Sequence, residues 1–165
     1  SALDIGTGSG CIAVSLALEG LQVTAMDISA DALRIAGGNA SMLQADVELV
    51  QEDILHPARR ERQWDIIVSN PPYIRHMEAG DMEATVLEHE PHTALFVPDS
   101  DPLLFYRAIG QYAWEHLGSQ GKLWFEINRE FHRETCQLLE GFGFTGIEAR
   151  KDFYGNYRFV KATRP

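Results

Sequence analysis

Apolar positions along the chain follow two rhythms that alternate from one end to the other. Short runs rich in aliphatic residues read as strands at Leu3–Ile5, Gln22–Met26, Val47–Gln51, Asp65–Ser69, Lys122–Glu126, Thr145–Ala149 and Arg158–Ala162. Between them apolar residues recur every three or four places, the helical repeat. Strand and helix in alternation argue for βα units around a parallel sheet. Cys11–Leu18 is apolar almost all round, which predicts a buried helix. The next helix starts at Ala30, with Ser29 as N-cap, Asp31 in its first turn, and Ile28 and Leu33 placed for a hydrophobic staple. Gly37-Gly38 leave its end open, since each Gly costs about 1 kcal/mol against Ala inside a helix. Asp101-Pro102 predicts an N-cap followed by Pro at the first helical position. Phe105, Ile109, Ala113 and Leu117 then repeat at helical spacing as far as Gly118. A last helix is expected from about Glu130 to Leu139, closed by Gly141 and Gly143.

Two features break the alternation. From Ile74 to Ser100 runs a long segment with little periodicity, which reads as a lid or binding segment. The last two strands have only Lys151–Tyr157 between them, too little for a crossover helix, so they are expected to pair antiparallel. The prediction is an α/β domain with a seven-stranded, mostly parallel sheet and a reversed last strand.

Composition narrows the function classes. With 165 residues, 45% hydrophobic and 23% charged, the chain suits one domain over residues 1–165. No run is apolar enough to span a membrane and no basic-then-apolar leader opens the chain, so a cytoplasmic protein with no membrane partner is expected. Cys11 and Cys136 stand far apart and read as free thiols. His56, His76, His89, His92, His116 and His132 form no metal spacing, so no metal is expected. The net charge of −10 argues against extended nucleic acid, because a protein that neutralises phosphates needs the opposite balance. Glu78, Asp81, Glu83, Glu88 and Glu90 make the long segment acidic, which suits either a solvated face or attraction to a basic protein surface. The chain opens inside a strand at Ala2-Leu3-Asp4-Ile5 without an initiating Met, and the expectation is a fragment of a longer protein.

Four clusters carry candidate chemistry. Asp4-Ile5-Gly6-Thr7-Gly8-Ser9-Gly10 runs from a strand through glycines into a helix, which lets backbone approach a ligand closely. Its glycines fall at 6, 8 and 10, and Cys11 takes the last position of the dinucleotide fingerprint, so the spacing leans toward a nucleoside without a pyrophosphate. Asp27, followed by Ile28, ends the second strand, where a carboxylate accepts from both hydroxyls of a ribose. Asp53 and Ile54 after the third strand are placed for an adenine amine and its ring face; an ordinary exposed loop acid is the other reading. Asn70-Pro71-Pro72-Tyr73 follows the apolar strand Asp65–Ser69. The Pro pair stops the strand and removes two donors, leaving fixed carbonyls beside the Asn amide. A planar NH2 group can donate one hydrogen to the Asn70 oxygen and one to the Pro71 carbonyl, with Tyr73 stacked on its plane.

Together these residues resemble the class I methyltransferases, with the Asn-Pro-Pro-Tyr signature of amino-group methylation. More narrowly, the chain is similar to the catalytic domain of the peptide chain release factor N5-glutamine methyltransferases. The likeness is carried by residues 3–13, Asp31-Ala32-Leu33 with Asn39-Ala40, Val68–Ile74, Glu90-Pro91 with Ala94-Leu95, Glu126-Ile127, and Asp152 with Gly155 and Arg158. The chain departs from the family pattern at Phe96-Val97-Pro98-Asp99-Ser100-Asp101-Pro102, where glycines are common, and at His89. The resemblance implies a Rossmann-like three-layer sandwich, S-adenosylmethionine as cofactor with S-adenosylhomocysteine as product, and a release factor as partner. It implies methylation of the glutamine of a Gly-Gly-Gln motif, and an amino-terminal helical domain that is absent here. The cofactor would lie on Asp4, Gly6, Thr7, Gly8, Ser9, Gly10, Asp27, Ile28, Asp53, Ile54 and Asn70, and Asn70, Pro71, Pro72 and Tyr73 would be catalytic. An adenine-N6 or guanine-N methyltransferase acting on DNA or RNA shares the chemistry, and a nicotinamide dehydrogenase would leave Asn70–Tyr73 unexplained.

Overall fold

A computed structural model of the chain describes residues 1–58, 61–75 and 96–165. In chain order they form β1 (Ala2–Ile5), α1 (Cys11–Leu18), β2 (Val23–Asp27), α2 (Ala30–Met42), β3 (Val47–Gln51), β4 (Trp64–Ser69), β5 (Ile74–Arg75), β6 (Phe96–Val97), α3 (Leu104–His116), β7 (Leu117–Glu126), a 3₁₀ turn (Arg129–Phe131), α4 (His132–Phe142), β8 (Thr145–Lys151) and β9 (Tyr157–Thr163). Seven strands make one sheet in the order β3-β2-β1-β4-β7-β9-β8. The first five run parallel, and β9 is antiparallel to both its neighbours. The predicted sheet, with its reversed last strand, is the one formed.

Successive strand residues point to opposite faces, and this chain buries both. Leu3, Ile5, Met26, Ile67, Leu123 and Phe125 join Tyr106 and Ile109 of α3 and Leu139 of α4 in the larger core. Ala2, Val23 and Ala25 take the other face, against Ala13 of α1. Helices therefore cover two faces of one sheet, a three-layer sandwich. Among the described residues no helix is long and apolar enough to cross a membrane.

Several local expectations change. Only Ala13 and Val14 of α1 are buried, and Leu18 is 57% exposed; a short helix on a sheet face needs one apolar stripe, so all-round apolarity did not mean all-round burial. Its Ile12 and Leu16 instead border an open groove of about 270 Å³ with Ile66, Val68, Trp124 and Phe159. Ser29 caps α2 as expected, its hydroxyl accepting from the Ala32 N–H at 3.2 Å, but Ile28 stays exposed and contributes little staple. The helix runs on through Gly37-Gly38, and at Gly37 a Cβ would lie 2.9 Å from the end of the Leu49 side chain in β3. α3 starts at Leu104, not at Pro102; Asp101 is engaged instead by both guanidinium nitrogens of Arg107, each at 2.9 Å. α4 passes through Gly141 and ends at Gly143, which takes the left-handed conformation (φ +98°). The segment read as a lid carries at its two ends the two-residue strands β5 and β6, paired in parallel through Ile74 with Phe96 and Arg75 with Val97. The acids from Glu78 to Glu90, the histidines His76, His89 and His92, and the Glu90-Pro91 and Ala94-Leu95 matches lie outside the described residues.

Gly10 shows that the glycine loop answers to packing as well as to ligand approach. At φ +80° it caps α1, and a Cβ there would meet the Cβ of Ala36 in α2 at 2.9 Å. Gly8, at φ +55°, faces open space. Gly10→Ala is therefore expected to cost about 2–4 kcal/mol, from backbone strain plus overpacking, and Gly8→Ala about 1–2 kcal/mol from strain alone. Urea unfolding checks this: both midpoints fall at unchanged slope, Gly10→Ala further. Equal losses would show that the Ala36 contact does not matter.

Candidate active site

Parallel strands end together, and four of them end here. Ile5 pairs with Met26 and Ser69, and Asp27 with Gln51, so β3, β2, β1 and β4 terminate side by side. The chain builds outward from β1 to β3, then returns to β4 on the other side of β1. That reversal is a topological switch point, and the usual ligand position in open α/β sheets lies beyond the carboxyl ends of the strands there. Three inter-strand steps of about 4.8 Å make the row about 14 Å long. Along it stand Asp53 and Ile54, then Asp27 and Ile28, then the glycine loop, then Asn70.

The glycine loop is held from three sides. The Gly6 and Thr7 N–H groups both donate to the Met26 carbonyl, at 2.8 and 3.0 Å. The Gly8 N–H donates to the Asp27 carboxylate at 2.9 Å, and the Asn39 amide donates to the Ser9 carbonyl at 2.8 Å. Asn39, fixed on α2 thirty residues from Ser9, is a support that the loop's own residues did not indicate. Beneath the loop Asp4 is 1% exposed. One of its oxygens accepts from Thr7 Oγ1 at 2.7 Å and from the Ala13 N–H at 3.1 Å; the other has no partner among the described residues. Burial pushes this carboxyl up to about 6, against the two hydrogen bonds that favour its charge and helped by the charge of Asp27.

Asp27 also accepts from the Ser29 N–H at 2.9 Å, so each oxygen takes one backbone donor and keeps room for another. Ile28 beside it is 60% exposed, a bare apolar face at the rim. Asp53 is more committed locally: its oxygens engage the Leu55 N–H and His56 Nδ1, each at 2.9 Å. The His56 bond holds its carboxyl below the ordinary value. Ile54 is partly buried against the larger core.

At the far end of the row Ser69 Oγ donates to the Ile5 carbonyl at 2.6 Å, tying β4 to β1 just before the strand stops. Asn70 is exposed and Pro71 buried, with Pro72 and Tyr73 half-buried. Tyr73 is held at both ends: its hydroxyl donates to Glu126 at 3.1 Å, and its carbonyl accepts from the Asn128 amide at 3.2 Å. Burial and the Glu126 charge raise the phenol's pKa, so it remains a donor at neutral pH. Glu126 and Asn128 lie more than fifty residues from Tyr73, and the sequence marked neither for this contact.

The methyltransferase small domain family matches residues 1–95. The release factor glutamine methyltransferase of Flavobacterium psychrophilum is 48% identical over 161 residues, covering 96% of this chain and 56% of that protein. The protein of the same name from Bacteroides thetaiotaomicron is 45% identical, with coverages of 98% and 59%. The chain thus spans little more than half the length of these relatives. Among solved structures, a T. thermophilus 16S rRNA methyltransferase in complex with AdoMet and guanosine superimposes with a TM-score of 0.72 at 19% identity, over 99% of this chain and 37% of its own.

The raised carboxyl of Asp4 has a measurable consequence. The folded state holds this proton more tightly than the unfolded chain, so between about pH 4 and pH 6 it binds more protons, and stability falls as pH rises through that window. Asp4→Asn removes the titration. The variant is expected to gain about 3 kcal/mol relative to the parent between about pH 4 and pH 7, read from urea unfolding at each pH. Parallel stability profiles would mean that the buried carboxyl is not perturbed.

Proposed function

The chain belongs to the methyltransferase small domain family, and from that premise we propose that it methylates the side-chain amide nitrogen (N5) of a glutamine in a peptide chain release factor, with S-adenosylmethionine as donor. The observation that carries this reading is Asn70-Pro71-Pro72-Tyr73 at the end of β4, its Asn side chain exposed at one end of the row of candidate cofactor residues. Two relatives at 48% and 45% identity bear the name of that activity. The net charge of −10 favours a protein partner over extended nucleic acid.

The residues present fit this cofactor. A Cβ at Gly6 or Gly8 would meet nothing within 4 Å, so the loop leaves open space above it. Asp27 retains acceptor capacity for two ribose hydroxyls, Ile28 offers an apolar face to a purine, and Asp53 stands one strand beyond, at the adenine end. The unpaired oxygen of Asp4 is an acceptor beneath the loop, suited to the amino-acid end of the molecule. When bound, S-adenosylmethionine supplies an electrophilic methyl on a sulfonium sulfur and leaves as S-adenosylhomocysteine.

What the protein contributes is direction. An amide nitrogen is a weak nucleophile because its lone pair is delocalised into the carbonyl. Asn70 Oδ1 and the Pro71 carbonyl each accept one N–H of the glutamine amide, which sets the plane of the NH2 group. Tyr73 stacks on that plane. Orientation of this kind is worth up to roughly 7–11 kcal/mol in favourable intramolecular cases. The same two oxygens stabilise the positive charge that grows on nitrogen as its bond to carbon forms. The surplus proton departs to water.

Two variants separate these roles. Asn70→Ala is expected to lower methyl transfer to a release factor by about 100-fold or more, with the cofactor dissociation constant moved less than about threefold. Turnover close to the parent's would remove Asn70 from the reaction. Asp27→Asn replaces one carboxylate acceptor by a donor and is expected to weaken cofactor binding by about 10- to 100-fold in calorimetry. An unchanged dissociation constant would take the ribose off Asp27. Running DNA and ribosomal RNA beside the release factor in the transfer assay tests the substrate class directly.

A further inference from the structure

Neither Pro71 nor Pro72 has a backbone N–H, so the segment that carries the candidate amide site lacks two of the hydrogen bonds that usually fix a loop. Its direction must be set from the residues on either side. Before it, Ser69 is tied to β1. After it, Tyr73 is gripped by β7 and the residues that follow that strand. Glu126 is the last residue of β7 and takes the phenol; Asn128 takes the backbone carbonyl two residues on. Asn128 is itself fixed: its N–H donates to the buried Tyr106 hydroxyl at 3.1 Å, and its side-chain oxygen caps the 3₁₀ turn through the Glu130 N–H at 3.0 Å.

The Glu126 carboxylate is also fixed. Arg158, near the start of β9, lies 3.7 Å from Glu126 and 3.6 Å from Asp152. Asp152 belongs to the β8–β9 turn, which its own side chain builds by accepting from the Tyr154 and Asn156 N–H groups at 2.9 and 3.0 Å. Since β8 runs parallel to β1 and β4, this turn stands on the same edge of the sheet as the glycine loop and Asn70. The contacts therefore form one continuous path: Asp152, Arg158, Glu126, Tyr73.

We infer that Glu126 is a positioning residue, which fixes the Tyr73 phenol and thereby the direction in which Asn70 and the Pro71 carbonyl face, with Arg158 and Asp152 holding its carboxylate in place. It does not touch the reacting atoms. It acts through Tyr73, and its effect falls on the chemical step rather than on cofactor affinity. The inference rests on the amide-methylation reading for the reaction by which it is measured, but not for the geometry.

The test is a double-mutant cycle with a readout that does not need turnover. Glu126→Ala is expected to lower kcat for methylation of a Gly-Gly-Gln peptide by about 10- to 100-fold, the cost of a misplaced reacting group, with cofactor affinity unchanged. Glu126→Gln keeps an acceptor for the phenol and is expected to stay within about threefold of the parent. In a Tyr73→Phe background Glu126→Ala should cost less than about twofold more, because the contact is already gone. Hydrogen exchange of a peptide containing Tyr73–Arg75 should quicken in Glu126→Ala and not in Glu126→Gln. Additive losses in the cycle, an equal loss in Glu126→Gln, or unchanged exchange in Glu126→Ala would overturn the inference. If the parent chain methylates no glutamine, the substrate reading falls, and the exchange comparison still decides the role of Glu126.

Discussion

β1 is bonded in parallel to β2 on one side and to β4 on the other, and the rest of the site depends on that pairing. A parallel strand cannot be reached by a tight hairpin, so each neighbour must be entered from the far edge of the sheet and left at the near one. Loops with no obligation to the ladder accumulate at the near edge. The Ile5–Met26 and Ile5–Ser69 registers bring the glycine loop, Asp27 and Asn70 within two strand spacings of one another. The Ser69 hydroxyl on the Ile5 carbonyl and the Gly6 and Thr7 amides on the Met26 carbonyl close the seams where the ladders run out. Without those seams the strand ends that carry the candidate residues would be free to fray.

Holding that edge open has a cost borne by Asp4. A carboxylate buried beneath the loop with one oxygen unpaired is unfavourable, which is why its proton is held to about 6. A neutral amide in its place would serve Thr7 and Ala13 with less penalty. An acid kept where an amide would fit better is the kind of local inconsistency that functional sites display. Asp27 differs because each of its oxygens takes one backbone donor at the rim, whereas Asp4 is buried below it with one oxygen unpaired.

The sheet was legible because its signals are local and repeated: aliphatic runs, helical spacing between them, and a gap before Arg158 too short for a crossover. The glycine loop, Asp27 and Asn70–Tyr73 were legible because each is a strand end whose residue types are needed for one kind of contact. What escaped has a physical reason in each case. β5 and β6 are two residues each, too short for any period, and exist only by pairing with one another. α1 is apolar all round, and whether a face is covered depends on neighbours that its own sequence does not encode. Asp101-Pro102 carries the signature of a helix start, but the Arg107 guanidinium claims the acid and the helix begins at Leu104. Gly10 read as a ligand-facing glycine, and its tightest demand comes from Ala36. Glu126 was matched by resemblance without a role and Asn128 not at all, since their contact with Tyr73 closes a loop of more than fifty residues.

A glutamine amide asks little of an enzyme in proton transfer and much in aim. Its nitrogen cannot be made basic without breaking conjugation, and a strong base beside it would compete with the acceptor oxygens for its hydrogens. In the proposed reaction two neutral oxygens beside a proline pair that lacks backbone donors suit this need, because they would accept from both N–H bonds. Such oxygens are useful only if they do not swing, because hydrogen-bond direction is lost within a few tens of degrees. Proline stiffness supplies part of that constraint, Ser69 part from the strand side, and the grip of β7 on Tyr73 the remainder. A site of this kind is built from its supports inward, so the residues that determine its rate include some that no substrate atom reaches.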